Sequence, residues 1–105
     1  MLEPEWQDLP CLEARTRKVY LGKDWVYKVA TNDEGFFANG IEAAHYKKGS
    51  PYIPIAECYL IDEVLKMRRV TPADILGDHM PEWTLSVDCQ QVGYDHQGKL
   101  VAYDL

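Results

Sequence analysis

A single lysine lies in the middle of an otherwise apolar segment, residues 25–30, whose sequence is WVYKVA. The β-branched and aromatic residues of this segment predict a β-strand. An unpaired ammonium group inside a protein is costly, so Lys28 must either extend to solvent or meet an anion. Two acidic residues are candidates for that anion: Glu42, in the next predicted helix, and Asp104, after the last predicted strand. The fold must therefore bring a carboxylate to the middle of a strand or leave Lys28 at a surface.

Six short runs of strand-forming residues are separated in pairs by turn residues, which is the pattern of three β-hairpins. The runs cover residues 18–21 and 25–30, 55–61 and 64–70, and 92–94 and 100–103. Gly22 in the first turn and Gly98 in the third are expected to adopt positive φ angles, which glycine tolerates. Asp62 and Glu63 form the second turn.

One substantial helix is predicted between the first two hairpins, over residues 34–47. Short polar and acidic residues at 31–34 suit a helix start, and a glycine follows two lysines at its end. Phe37, Ile41 and Ala44 recur with helical spacing. We expect these three residues to form the stripe that packs into the core.

The remaining segments complete an α+β fold, an antiparallel sheet of hairpins with one main helix packed on it. Thr71, followed by a proline, is expected to cap a short helix over residues 73–76. Residues 83–87 fit either a short strand or a turn of helix. The chain of 105 residues forms one domain, with residues 1–10 as an N-terminal arm.

Composition and charge exclude several classes of protein. The net charge of -6 argues against a nucleic-acid partner, because such proteins carry a basic surface. No run of about 18 apolar residues is present, so no membrane span is predicted, and the acidic N-terminus does not resemble a signal peptide. The three cysteines have no metal-ligand spacing, so we expect reduced thiols and a cytoplasmic location.

The order of these features resembles the N-terminal lobe of the protein-kinase fold, in a reduced form similar to small phage or prophage proteins. The matching segments are, in order, the lysine strand (residues 26–30), the glutamate helix (39–42), two strands (55–61 and 64–67), a hinge (68–70) and a hairpin ending in aspartate (94–104). The resemblance implies that Lys28 contacts the phosphates of ATP, that Glu42 holds Lys28, and that Asp104 binds a magnesium ion.

Several parts of a working kinase have no counterpart in the sequence. Residues 13–17 contain no glycine where a phosphate-covering loop would lie, and side chains there keep the backbone N–H groups away from a phosphate. The basic residues 15–18 are expected to form a solvated strand edge instead. No His-Arg-Asp triplet occurs, and Asp88, a catalytic base in the kinase interpretation, suits a cap or loop better. Gln91 is the nearest candidate for the second metal ligand, and only one residue follows Asp104.

Three functions follow from these observations. The leading hypothesis is a non-catalytic, kinase-like domain that acts as a protein-binding or regulatory module, with a protein partner or a second copy covering its exposed sheet edge or aromatic surface. Lys28 would then pair with Glu42 for structural reasons only. The alternative is a degenerate nucleotide-binding protein in which Lys28, Glu42 and Asp104 hold ATP and magnesium. An active phosphotransferase that works as an oligomer is the third hypothesis.

Overall fold

A five-stranded antiparallel sheet forms the larger part of the fold in the computed structural model, which describes residues 4–49, 53–73, 80–87 and 91–103. Its strands are β1 (Cys11–Glu13), β2 (Arg17–Leu21), β3 (Trp25–Ala30), β4 (Cys58–Ile61) and β5 (Val64–Arg68). They lie in the order β1-β2-β3-β5-β4, with every neighbouring pair antiparallel. The predicted α+β class and the antiparallel hairpins are therefore confirmed. The short strand β1 was not predicted.

A second, three-stranded sheet contains β6 (Thr71–Pro72), β7 (Val92–Tyr94) and β8 (Leu100–Ala102), again all antiparallel. The sequence predicted one sheet where the structure has two. They are tied together by the segment that precedes β4. There Ala56 donates its N–H to the carbonyl of Ala102, and Ala102 donates its own N–H to Pro54, both at 2.8 Å. This link brings the end of β8 beside the larger sheet.

The main helix, α1, spans Asp33–Lys48, close to the predicted range. The side chain of Asn32 accepts a hydrogen bond from the N–H of Gly35 at 3.0 Å, which satisfies one of the unpaired donors of the first turn. Gly49 ends the helix with a φ of 72°, a conformation that side chains other than glycine rarely adopt. Both predicted helix signals are therefore confirmed.

The core lies between the larger sheet, the inner face of α1 and β8. Its buried residues from the sheets and the segment before β4 are Ile55, Ala56, Cys58, Leu65, Met67 and Val101. A smaller cluster of Val87, Val92 and Ala102 lies under the second sheet, with Trp83 packed against it. On the opposite face of the larger sheet, Trp6 stacks on Tyr27 with ring centroids 5.7 Å apart. Trp6 belongs to a short 3-10 helix, Trp6–Asp8, within the predicted N-terminal arm.

The predicted core stripe of α1 is wrong. Phe37 and Ile41 are 66% and 60% exposed, and Ala44 is also exposed. The helix instead buries Gly35, Asn39 and Glu42 against the sheet. The periodicity identified a real apolar stripe, but the side of α1 that faces the protein is the one on which Asn39 and Glu42 find polar partners and Ala43 and Tyr46 meet the core.

Three local predictions also require correction or completion. Thr71 does not cap a helix, because Thr71 and Pro72 pair with β7 as an edge strand, where a proline without an N–H is tolerated. Gly22 has no positive φ; a Cβ there would approach the carbonyl oxygen of Trp25 to 2.6 Å, so close backbone contact explains the glycine. Residues Glu82–Ser86 form a 3-10 helix.

The other turn predictions hold. Gly98 has a φ of 77°, and the hairpin between β4 and β5 turns at Asp62 and Glu63, which have φ angles of 49° and 68°. No helix in the described part of the chain is both long and apolar enough to cross a bilayer.

Candidate functional site

The central polar feature is a buried ion pair between Lys28 on β3 and Glu42 on α1. Lys28 Nζ lies 2.9 Å from Glu42 Oε1, and the two side chains are 6% and 1% exposed. Lys28 Nζ also donates a hydrogen bond to the backbone carbonyl of Tyr103, just after β8. The predicted pairing of strand lysine and helix glutamate therefore forms, and the lysine connects the sheet, the helix and the end of the last hairpin.

A second cation, Arg17 of β2, joins this pair. Its Nη2 atom lies 2.9 Å from Glu42 Oε2, and its side chain is only 6% exposed. Arg17 Nη1 also donates a hydrogen bond to Asn39 Oδ1 at 3.0 Å, and Asn39 Nδ2 donates to the backbone carbonyl of Lys28 at 2.9 Å. The expectation of a solvated strand edge at residues 15–18 is wrong for Arg17, because Glu42 and Asn39 draw its side chain inward.

We refer to Arg17, Lys28, Asn39 and Glu42 as the buried charge cluster. With two cations and one carboxylate, its formal charge is +1. Removing these groups from water is expensive, and the ion pairs offset that cost only while every member keeps its partners. The cluster therefore fixes the rotation of α1 on the sheet.

The turn between β1 and β2 is held against the start of α1. Thr31 donates its N–H to the carbonyl of Thr16 at 2.9 Å, and Arg15 pairs with Glu34 at 2.8 Å. A Cβ on Gly35 would lie 2.0 Å from the carbonyl oxygen of Thr16, so only glycine fits at this contact. In the kinase comparison this turn would cover the phosphates. Here the carbonyls of Arg15 and Thr16 accept hydrogen bonds from Asn32 and Thr31, just before α1.

A cleft of about 720 Å³ opens beside the cluster, between this turn and the residues that follow β5. That volume is in the range of small-molecule sites. Its walls include apolar residues from three strands, such as Val19, Val26 and Met67. Cationic residues are also frequent along the cleft: Arg15, Arg17, Lys28, Arg68 and Arg69.

Each of these five cations already contacts an acceptor of the protein. Lys28 and Arg17 share Glu42, and Arg15 pairs with Glu34. Arg68 lies over the ring of Trp25 and pairs with Glu57 at 3.5 Å, and Arg69 donates to the carbonyl of Gly22 at 2.8 Å. A phosphate in the cleft would have to compete with these contacts.

Cys58 lies on β4 and is buried beneath α1. Burial and the nearby negative charge of Glu42 raise the pKa of its thiol to about 12. The thiol donates a hydrogen bond to the backbone carbonyl of Glu42. A protonated, buried thiol is a poor nucleophile, so Cys58 has a packing role.

The outer face of α1 carries the apolar residues that the core does not use. Phe37, Ile41 and Ala44 lie along it in a row that we call the α1 stripe, and Phe36 beside it is 49% exposed. Asp33 and Glu34 precede the stripe, and Lys47 and Lys48 follow it. Single exposed apolar side chains are common on protein surfaces, whereas contiguous exposed apolar patches are less so.

The structure brings together two of the three predicted nucleotide-site residues, Lys28 and Glu42. Asp104, the predicted magnesium ligand, and Asp88 lie outside the described residues. No group of three His, Cys, Asp or Glu side chains in the described part of the chain is arranged to hold a metal ion.

Sequence reasoning missed Arg17 and Asn39. A signal for Arg17 was present: it alternates with Val19 and Leu21 along β2, and Val19 pairs with Lys28. Arg17 on β2 therefore lies on the same face of the sheet as Lys28 on β3. Asn39 gave no comparable signal, because its partners are 11 and 22 positions away.

No known family model, curated protein or solved structure matches this chain. The kinase resemblance consequently depends on the arrangement of Lys28, Glu42 and the hairpins alone.

Proposed function

We propose that this chain is a non-catalytic domain, similar to a reduced protein-kinase N-terminal lobe, that acts as a protein-binding module. One observation carries the proposal: α1 buries Asn39 and Glu42 beside the inward-packed Ala43 and Tyr46, and leaves its largest apolar side chains on the outer face. Asn39 and Glu42 are 1% exposed, whereas Phe37 and Ile41 are more than half exposed. This orientation leaves apolar area uncovered, and a partner that covers it gains the corresponding free energy.

The state of the charged residues supports a structural role for the lysine–glutamate pair. In a phosphotransferase the lysine must be available to phosphates and the loop above them must offer N–H groups. Here Lys28 is 5% exposed, and besides the Glu42 contact, which the kinase arrangement also contains, it donates to the Tyr103 carbonyl. In the turn that would supply the N–H groups, Ala14 already donates its N–H to the Arg17 carbonyl at 2.9 Å, and residues 13–17 contain no glycine that would let the backbone approach a phosphate closely.

The test compares an α1-stripe variant with matched controls. Phe37→Ser/Ile41→Ser should change the free energy of unfolding by no more than about 0.5 kcal/mol per site in dilute solution, because the side chains are solvent-exposed. Leu65→Ala, at a fully buried position, should cost about 2–5 kcal/mol. The native protein should bind ANS, a dye that fluoresces on exposed apolar surface, and the stripe variant should lose that signal.

Leu85→Ser provides the control for dye binding, since Leu85 is 70% exposed but lies outside α1. It should leave most of the ANS signal unchanged. A stripe variant that loses several kcal/mol in dilute solution would show that the stripe belongs to the core of the monomer. Unchanged dye binding in that variant would also contradict the proposal.

A nucleotide-binding function is the second candidate, and the cleft beside Lys28 is the observation that favours it. Its volume fits a nucleotide, and five cationic residues border it in a protein of net charge -6. Binding at a ligand concentration one hundred times the dissociation constant would stabilise the fold by about 2.7 kcal/mol. A thermal-shift titration with ATP and magnesium, repeated on Lys28→Met, distinguishes the candidates. We expect no lysine-dependent shift; a shift that the variant abolishes would establish the nucleotide site.

A further inference from the structure

We infer that the partner of the α1 stripe is a second copy of the same chain, with the two α1 helices packed antiparallel across a two-fold axis. This inference rests on the proposed function, because it identifies the partner of the proposed binding surface. The axis would pass between residues 40 and 41, the midpoint of Asp33–Lys48. Two-fold symmetry then places each residue opposite one fixed residue of the second copy, so the surface must complement itself.

The apolar positions meet this requirement by size. Phe37 lies opposite Ala44 of the second copy, and Ile41 lies opposite Gly40 of the second copy. In each pair a large side chain meets a small residue. A Cβ on Gly40 would have no atom within 4 Å, so this position is open toward solvent in the single chain. Small residues at a crossing let helices approach to the close end of the usual interaxial range, about 8 Å.

The charged positions meet the same requirement by sign. The antiparallel arrangement places Asp33 opposite Lys48 of the second copy and Glu34 opposite Lys47 of the second copy. These residues are exposed at the two ends of α1, about 22 Å apart along the axis. A parallel pair would instead place acid beside acid and base beside base. The two helix dipoles also oppose each other in the antiparallel arrangement, which is favourable.

Glu34 already has a partner in Arg15, at 2.8 Å, but both side chains are mostly exposed to solvent. A pair of that kind contributes little and exchanges easily with a second cation. The charges therefore determine the orientation of the two copies, while Phe37 and Ile41 supply most of the buried area.

The test is sedimentation equilibrium of the full chain over a concentration series, with charge-reversed variants. The wild type should pass from 12.1 kDa to twice that mass as concentration rises. Ile41→Asp should remain a monomer, and Leu85→Asp, on an exposed residue outside α1, should still dimerise. Two double variants reverse the charges at one end of α1: Lys47→Glu/Lys48→Glu and Asp33→Lys/Glu34→Lys. Each should self-associate at least about tenfold more weakly than the wild type, because both ends of the interface then carry like charges.

The decisive sample is an equimolar mixture of the two charge-reversed variants. Every ion pair across the interface is restored in the mixed dimer, so the mixture should associate at least as tightly as the wild type. A mixture that stays monomeric would overturn the antiparallel arrangement, and a wild type that dimerises equally well with Ile41→Asp would place the contact elsewhere. A monomeric wild type whose stripe still binds ANS would overturn the second copy as partner and leave the protein-binding proposal standing.

Discussion

Replacing Glu42 by glutamine should destabilise this protein more than any other single change in the buried charge cluster. The amide keeps the shape of the side chain and removes its charge. Lys28 and Arg17, each 6% exposed and each 2.9 Å from a Glu42 oxygen, would then be buried without a carboxylate. Breaking a buried ion pair by removing one partner costs about 3–5 kcal/mol. That is a large fraction of the 5–15 kcal/mol typical of a domain's total stability.

Two comparison variants show whether the cluster acts as described. Lys28→Met leaves Glu42 paired with Arg17, so its cost should be smaller, about 1–3 kcal/mol. The triple variant Arg17→Met/Lys28→Met/Glu42→Leu removes all three charges together. Apolar replacement of a whole buried ion-pair network is often neutral or stabilising, so the triple variant should be more stable than Glu42→Gln. The triple variant should not regain all of the lost stability, because Asn39 no longer receives the hydrogen bond from Arg17.

Urea unfolding followed by tryptophan fluorescence measures these differences. For a slope of about 1.5 kcal/mol/M, a loss of 3–5 kcal/mol lowers the midpoint by about 2–3 M. Dilute samples keep self-association out of the measurement. A Glu42→Gln midpoint that corresponds to a loss of less than about 1 kcal/mol would show that the Glu42 carboxylate does not compensate two buried cations. So would a larger loss in Lys28→Met, because the carboxylate would then not be the shared partner.

Two further predictions concern single residues. Gly35→Ala should prevent stable folding or cost several kcal/mol, since its Cβ would lie 2.0 Å from the Thr16 carbonyl oxygen. Gly40→Ala should instead stabilise the monomer by about 0.5–1 kcal/mol, because alanine favours the helix. Thermal unfolding followed by circular dichroism compares the two variants, and equal effects would contradict the packing of Gly35 on Thr16. With the other two cysteines replaced by serine, Cys58 should react with a thiol reagent only at the rate of unfolding, because its pKa of about 12 keeps it protonated. In the unfolded chain this thiol ionises near 9.0, so the stability it contributes is complete below that pH and is lost as the pH rises toward 12. The stability difference from Cys58→Ala should therefore shrink over that range, and a constant difference would contradict the assigned burial.

Local chemistry made much of the fold predictable from the sequence. Turn residues separate the hairpins, and the cap at Asn32 and the stop at Gly49 fix the bounds of α1. The pairing of Lys28 with Glu42 was also predictable, because a charge inside an apolar strand needs a partner and the next helix offers one.

The rotation of α1 was not predictable from its own residues. Hydrophobic periodicity correctly finds Phe37, Ile41 and Ala44 on one face, and a rule based on apolar residues places that face inside. The helix instead faces inward with Asn39 and Glu42, because Arg17 is supplied by a strand 22 positions before Asn39. The sequence of the helix alone carries no information about a partner on a strand so far away along the chain.

The proposed function requires that the Lys28–Glu42 pair be structural and support no phosphoryl transfer. The most direct measurement is an ATP-hydrolysis and autophosphorylation assay with magnesium on the wild type, beside Lys28→Met at matched folded concentration. We predict no turnover above background in either protein, with Lys28→Met differing only in stability. Turnover in the wild type that disappears in Lys28→Met would show a working phosphotransfer site and contradict the claim.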